Sequence, residues 1–488
     1  MRIDEIISIK NSNIAKASIF ILSSKIITIP IGMLLLSILG RNLSTTEFGL
    51  LSFVLSSAVI ISSVLELNIN TAITVISSSH FGKKMNKNGF AVLKLGLLAK
   101  LAVTMISLPV GVSLSGLLAN NVFHNASFEL PLVYTMILAT AINLNNYLST
   151  IVRTLHKFRS ISLIRVTEDI IRILLISLFI IKADLTVSNT IISYIIALLL
   201  SGVAYASISP VINILTARIS KRITLEVINF NKWLMFGLAI STIGHNIAAP
   251  IITYFISVES AGLFYAAFKI LSLMFLLSNS LSFILLPTFS RLENEERLKN
   301  TLKLLIERMS LIAFPIAFGV IAISKNIILI IFGKNYLAAS SVLNLLIPGL
   351  IAGLLTTGAG QALLSIKRVR EVQIIPLVNL ISNTIISIAL ISLFGLNGAA
   401  IALSIGYVLE FLVAWGLVFV YIRPNIDILN ISKYFIVSLL MYTFVSKIVI
   451  SNIVLDMIIS ILAGIIIYSI GVFVLFNYPS KKNESWPT

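Results

Sequence analysis

SIFILSSKIITIPIGMLLLSILG, residues 18–40, runs into RNLSTTEFG, 41–49, and then into LLSFVLSS, 50–57. The stretch reads as two apolar helices joined by a short polar turn. A helix needs roughly 20 apolar residues to cross the hydrocarbon core of a bilayer, so segments of this length point to a membrane. Lys25 lies near the middle of the first. An ammonium at such depth costs about 2.5 to 3.5 kcal/mol on insertion scales. A chain that keeps one there either encloses it in a polar cavity or uses it.

Composition carries the same reading to the whole chain. Of 488 residues, 58% are hydrophobic and only 11% charged, against about 25% charged in soluble domains. The expected class is an all-α polytopic membrane protein. The net charge of +17 falls mostly in loops, where cytoplasmic lysine and arginine are expected. No Arg-rich or aromatic-interleaved soluble segment offers a nucleic-acid surface. Cysteine is absent, which excludes disulfides and thiolate metal sites. The start, MRIDEIISIKNSNIAK (1–16), is polar and lacks a small-residue cleavage motif, so it is expected to be a retained cytoplasmic segment rather than a signal peptide.

Hydropathy divides the chain into about fourteen spans, near 17–39, 48–69, 91–118, 130–152, 163–182, 188–211, 233–256, 261–286, 310–332, 341–365, 372–394, 398–421, 434–453 and 455–476. Alternate connections are basic, among them Lys83, Lys84 and Lys87, then Arg153, Lys157 and Arg159, then Lys367, Arg368 and Arg370. The intervening ones are nearly bare, with Arg41, Lys182 and Lys334 as their main cations. Short basic loops stay in the cytoplasm, so both termini are expected inside, including a tail at 477–488. The longest connection, Ser290 to Ser310, reads as an amphipathic cytoplasmic helix with pairs such as Glu295–Lys299. A faint repeat links TTEFGLLSFVLSS, from Thr45, to VESAGLFYAAFKILS, from Val258, with Gly49 and Gly262 in register. Six spans separate the copies, as in transporters built from parallel repeats.

Several chemistries are missing. Neither Gly82-Lys83 nor Gly333-Lys334 sits in a G-x-x-x-x-G-K-[ST] loop, so no ATP site of that kind exists. His80, His124, His156 and His245 are scattered, and no H-E-x-x-H or G-x-S-x-G occurs. The expectation is no enzyme, no metal and no cofactor; an ion gradient is one candidate energy source, ATP is not, and the sequence does not identify the source. A membrane glycan polymerase or acyltransferase is disfavoured by the short, nearly uncharged outside loops.

Ionisable residues inside apolar spans mark candidate sites. Lys25 shares a helix face with Thr28 and Gly32, Lys100 lies about ten residues into the third span, and Lys269 lies a similar distance into the eighth. Each stands against a snorkelling alternative. Glu410, in the twelfth span, is the main candidate for protonation or an intramembrane ion pair; Glu66 in the second span and His245 in the seventh are further titratable candidates, each standing against a structural role. Glu168, Asp169 and Arg172 also read as a salt-bridged helix edge. Asn143, Asn145 and Asn146 carry amides that either bind sugar hydroxyls or join helices.

LGRNLSTTEFGLLSFVLS (39–56) resembles the junction of spans one and two in bacterial polysaccharide exporters, the Wzx-type O-antigen flippases of the multidrug/oligosaccharidyl-lipid/polysaccharide exporter superfamily. SAGLFYAAFKILSLMFLL (260–277) resembles the matching junction of their second half, and IIFGKNYLAASSVLNLLIPGL (330–350) is similar to a third recurrent segment. The resemblance implies two six-helix lobes, 17–211 and 233–421, around a central cavity, with two further spans at 434–476. It implies an undecaprenyl-pyrophosphate-linked oligosaccharide, an O-antigen or related unit, moved across the bacterial inner membrane by alternating access. Lys25, Arg41, Lys100 and Lys269 are then the candidate cations for the pyrophosphate, with membrane lipid around the prenyl tail. A polysaccharide polymerase and a chain-length regulator are the implied protein partners. The rivals are a multidrug or cation antiporter of the same superfamily and a peptidoglycan-precursor lipid flippase.

Overall fold

A computed structural model describes the backbone of residues 13–232, 235, 237–290, 292 and 294–477. Within it, the side chains of residues 13–27 and of a few positions between 238 and 290 and at 476–477 lie outside the description. The described residues are helical almost throughout, and they form two compact units. The first comprises the chain up to Tyr265 together with Asn379–Ala399, and the second comprises Ala266–Val378 and the chain from Ala400 onward.

The first unit holds α1 (Asn13–Asn42), α2 (Thr45–Glu66), α3 (Ile69–Gly82), α4 (Asn86–Asn121), α5 (Glu129–Thr154) and α6 (Phe158–Ile181). It continues with α7 (Val187–Ser207), α8 (Val211–Thr216), α9 (Lys221–Asn231), α10 (Gly237–Asn246) and α11 (Ala248–Phe255). Local chemistry sets these limits. Ser44 and Glu47 form a capping box that starts α2, with the Ser44 hydroxyl accepting from the Glu47 N–H and the Glu47 carboxylate accepting from the Ser44 N–H at 2.9 Å. Leu67 (φ 45°) and Asn68 (φ 53°) adopt left-handed backbone and end it. Pro250 lacks an N–H and crowds the carbonyl four residues back, which accounts for the break between α10 and α11. At one end of the unit Ala72, Ile73 and Ile76 of α3 pack with Ala91–Leu93 of α4, Tyr147 and Ile151 of α5, and Ile223 and Val227 of α9. The Tyr147 hydroxyl donates to the Leu93 carbonyl.

α12 (Val258–Ser290) gives its first turns to the first unit and the remainder to the second, where α13 (Glu295–Ile331) and α14 (Ala339–Ser365) follow. α15 (Val369–Tyr421) is broken by Gly395 at φ 56°, a conformation that favours glycine. α16 (Ile428–Val445) and α17 (Ile453–Asn477) complete the chain. Leu302, Ala359, Leu363, Ala414 and Val418 are the buried centre of the second unit, and the Trp415 indole donates to the Leu355 carbonyl at 3.1 Å.

Ten helices among the described residues are long and apolar enough to cross a membrane. α15 is one of them, although its kink divides it into the two segments expected at 372–394 and 398–421. α6, α10 and α11 are not among the ten, and of α1 only the apolar stretch Thr28–Asn42 falls within the residues described in full. α6 carries Arg159, Arg165, Glu168, Asp169 and Arg172, and α10 and α11 are each short.

Three features depart from the sequence reading. The amphipathic segment after Ser290 does not end before the ninth span; it runs on into it within α13, which accommodates Pro315 and is kinked at Ile323. The expected Glu295–Lys299 pair forms at 2.8 Å, and the ammonium holds the Glu295 carboxyl below the ordinary carboxylate range. The helix expected at 434–453 lies at Ile428–Val445, because Asp427 caps it by accepting from the Asn430 N–H at 3.1 Å. α3 and α9 were not foreseen: both lie in connections that hydropathy leaves between spans.

Candidate functional site

The polar interior of the first unit is built where α2, α3, α4 and α5 meet. Lys100, on α4, is only 1% exposed, and its ammonium donates to the Asn143 Oδ1 of α5 at 2.7 Å and to the Glu66 carbonyl at 3.4 Å. The Glu66 carboxylate at the end of α2 takes a hydrogen bond from Asn70 of α3 and is within electrostatic reach of that ammonium and of Arg153. Glu66, Asn70 and Asn143 are all buried. Asn70 Oδ1 and Asn143 Nδ2 have no protein partner. Lys100 therefore does not snorkel to an interface; a backbone carbonyl and an amide of neighbouring helices enclose it.

Asn145, two residues along α5, belongs to a second cluster. The Arg172 guanidinium donates to Glu168 at 2.7 Å and Asp169 at 2.9 Å, and its face lies 4.3 Å above the Tyr194 ring of α7. Asn145 donates to the other Glu168 oxygen at 3.4 Å and accepts from Ser201 at 3.2 Å. Here the asparagine joins helices. Asn146 is exposed, and its carbonyl accepts from Ser149 and Thr150.

A third constellation is the seam between α10 and the Asn379–Ala399 stretch of α15. His245 faces the Ser241 carbonyl, 2.6 Å from its Nδ1. One residue back, the Gly244 carbonyl accepts from Asn383 at 3.0 Å, and Ser387 donates to Asn383 at 3.1 Å. Asn379, Asn383 and Ser387 are at most 1% exposed. They escaped the sequence reading, although their spacing of four (N-x3-N-x3-S) puts all three on one helix face, a signal that was available.

The two copies of the repeat meet directly. A Cβ on Gly49 would stand 1.8 Å from the Val258 carbonyl oxygen, and one on Gly262 would stand 2.4 Å from that of Thr45. The starts of α2 and α12 thus touch backbone to backbone, and the Thr45 hydroxyl donates to Glu259 at 3.2 Å. Only glycine permits this approach.

The remaining candidates are distributed between the units. Arg41 is exposed at the end of α1, and Lys25 lies in α1 with its side chain outside the described residues. Lys269 on α12 and Glu410 on α15 belong to the second unit and are half-buried. No cluster of three or more His, Cys, Asp or Glu side chains suited to a metal occurs among the described residues.

A family model described as polysaccharide biosynthesis protein matches residues 38–341. The teichuronic acid biosynthesis protein TuaB of Bacillus subtilis (strain 168) is 25% identical over 142 residues, 29% of each chain. The probable low-salt glycan biosynthesis flippase Agl15 of Haloferax volcanii is 23% identical over 160 residues, 32% of this chain and 34% of that one. The chain thus matches about a third of the length of these curated relatives. A solved structure of the lipid II flippase MurJ, in an inward closed conformation, superposes with a TM-score of 0.76 over 94% of this chain and 98% of that one, at 19% identity. That likeness is one of fold.

Proposed function

Since the chain belongs to the polysaccharide biosynthesis protein family, we propose that it is a flippase which carries an undecaprenyl-pyrophosphate-linked oligosaccharide, an O-antigen or related unit, across the bacterial inner membrane. The observation that carries this reading is the buried ammonium of Lys100 on an apolar helix, held by the Asn143 amide oxygen and the Glu66 backbone carbonyl. Leaving a charge without a partner in an apolar interior costs several kcal/mol. A pyrophosphate faces that cost when it crosses the hydrocarbon core, and buried cations offset it. The Glu66 carboxylate lies within the field of that ammonium, so uptake of a proton by Glu66 would leave the Lys100 charge less compensated and draw it more strongly to a phosphate. That response gives the pair a role in ion coupling.

In this account the chain makes fourteen spans with both termini in the cytoplasm. The segments 17–211 and 233–421 act as the two lobes of an alternating-access transporter, with 434–476 added. Lys25, Arg41 and Lys269 complete the cationic path, while Asn143 has its free amide hydrogens available to sugar hydroxyls. Glu410 and His245 are further proton-exchanging groups. No step calls for a cofactor, ATP or enzymatic chemistry. The fold likeness over nearly the whole chain favours, as a second reading, a peptidoglycan-precursor lipid as cargo.

The test is a strain lacking this protein. Surface polysaccharide should fall while lipid-linked repeat units accumulate at the inner leaflet, and the wild-type protein should restore export. Normal surface polysaccharide in the deletion strain would overturn the proposal.

A further inference from the structure

Within the first unit, away from the charged interior, the turn after α4 and the end of α11 enclose a hollow of about 390 Å³ lined by Val122–His124, Phe128, Thr253–Phe255, Ser257 and Val258. Its volume falls in the lower part of the range of ligand pockets, roughly 300 to 1,000 Å³. We propose that this hollow is a saccharide-binding subsite that takes one pyranose ring of the transported glycan; the assignment of its source rests on the flippase reading.

Four features point to a sugar. Aromatic surface is on offer: Tyr254 and Phe255 are each 50% exposed and meet edge to face at 4.8 Å and 84°. The wall behind them is rigid, because Phe123 and Phe128 stack at 4.7 Å and Phe53 meets both rings edge-on. A pyranose has one face of C–H groups and a rim of hydroxyls, which suits exposed rings flanked by a few polar atoms.

Second, Thr253 is 93% buried by its 7% exposure, lines the hollow, and its hydroxyl has no protein partner. A buried hydroxyl without a hydrogen bond is costly, and a sugar hydroxyl would supply one. Third, His124 sits in left-handed backbone (φ 50°) with its ring Nδ1 3.1 Å from the Val122 carbonyl oxygen. When that nitrogen carries the proton and donates to Val122, Nε2 keeps a lone pair and accepts from a hydroxyl. Fourth, the lining contains no lysine or arginine. A pyrophosphate or a phospholipid headgroup therefore finds no counter-charge here, and the histidine, hydroxyls and tyrosine break up the surface that a prenyl tail would need.

The experiment uses the full chain in nanodiscs free of alkyl-glycoside detergent, whose sugar heads would compete. Saturation transfer from the aromatic protons to the ring protons of methyl glucoside, methyl galactoside and methyl N-acetylglucosaminide reads binding. At least one glycoside should receive transfer from the wild type. Tyr254→Ala should weaken its binding about three- to tenfold, as loss of one aromatic contact implies. Thr253→Val, which keeps the side-chain shape and removes the hydroxyl, should also weaken it. Absence of transfer to all three, or equal transfer in both variants, would overturn the subsite.

A second arm identifies the source of the sugar. In vesicles, Tyr254→Ala should slow transport of the lipid-linked oligosaccharide while sparing the same lipid trimmed to its first sugar. Unchanged transport beside lost glycoside binding would overturn the assignment to the cargo. Failure of the wild type to move either lipid would count against the flippase reading itself, whereas glycoside binding is measured independently of it.

Discussion

Removing the Lys100 ammonium leaves the Glu66 carboxylate buried beside two amides with its main counter-charge gone. A buried carboxylate that loses its nearest counter-charge is destabilising, so Lys100→Ala should lower the thermal unfolding midpoint of the purified protein. Adding Glu66→Gln removes the stranded charge and should recover part of that loss, a coupling of about 0.5 to 3 kcal/mol in a double-mutant cycle. Strictly additive losses would show that the two groups do not act as a pair. Lys25 and Lys269 carry a different expectation. Lys25→Ala and Lys269→Ala should reduce surface polysaccharide without lowering protein abundance, measured by glycan blotting beside immunoblotting. Unchanged glycan in both single variants and the double variant would remove these lysines from the mechanism. At this scale the sequence revealed which charges lie in apolar surroundings but not their partners. Lys100 and Asn143 are 43 residues apart, and nothing local to either position announces the other.

The contact between the starts of α2 and α12 leaves no room for a side chain at Gly49. Gly49→Ala should therefore force the helices apart and reduce export, whereas Gly32→Ala, with nothing within 4 Å of the added Cβ, should not. Because the chain has no native cysteine, the same contact can be tested by crosslinking. Thr45→Cys with Glu259→Cys should form a disulfide under oxidation, block export, and recover activity on reduction. Efficient crosslinking with undiminished export would show that the contact does not need to open during transport. Both glycines were already in register in the sequence, since a repeat is visible there even when its packing is not. α3 and α9 were invisible because each is too short to stand out as a span. They are stabilised by burying Ile73, Ile76, Ile223 and Val227 against other helices. The kink at Gly395 shows the converse: it divides α15 at the boundary that hydropathy placed between two spans.

For the whole molecule, apolar length made the all-helical membrane class legible, because a bilayer leaves few other solutions for so hydrophobic a chain. Loop charge gives the expectation that both termini lie inside. Single cysteines at Lys84 and Lys367 should be shielded from a membrane-impermeant thiol reagent in intact cells, and one at Ser127 should react. The proposed cargo was legible only through resemblance, since no single stretch of the chain carries a motif for it. The most direct measurement reconstitutes the purified protein in vesicles with undecaprenyl-pyrophosphate-linked oligosaccharide in one leaflet and follows its appearance in the other. The account predicts transfer well above protein-free vesicles, reduced by Lys100→Ala. Transfer at the protein-free rate would contradict it.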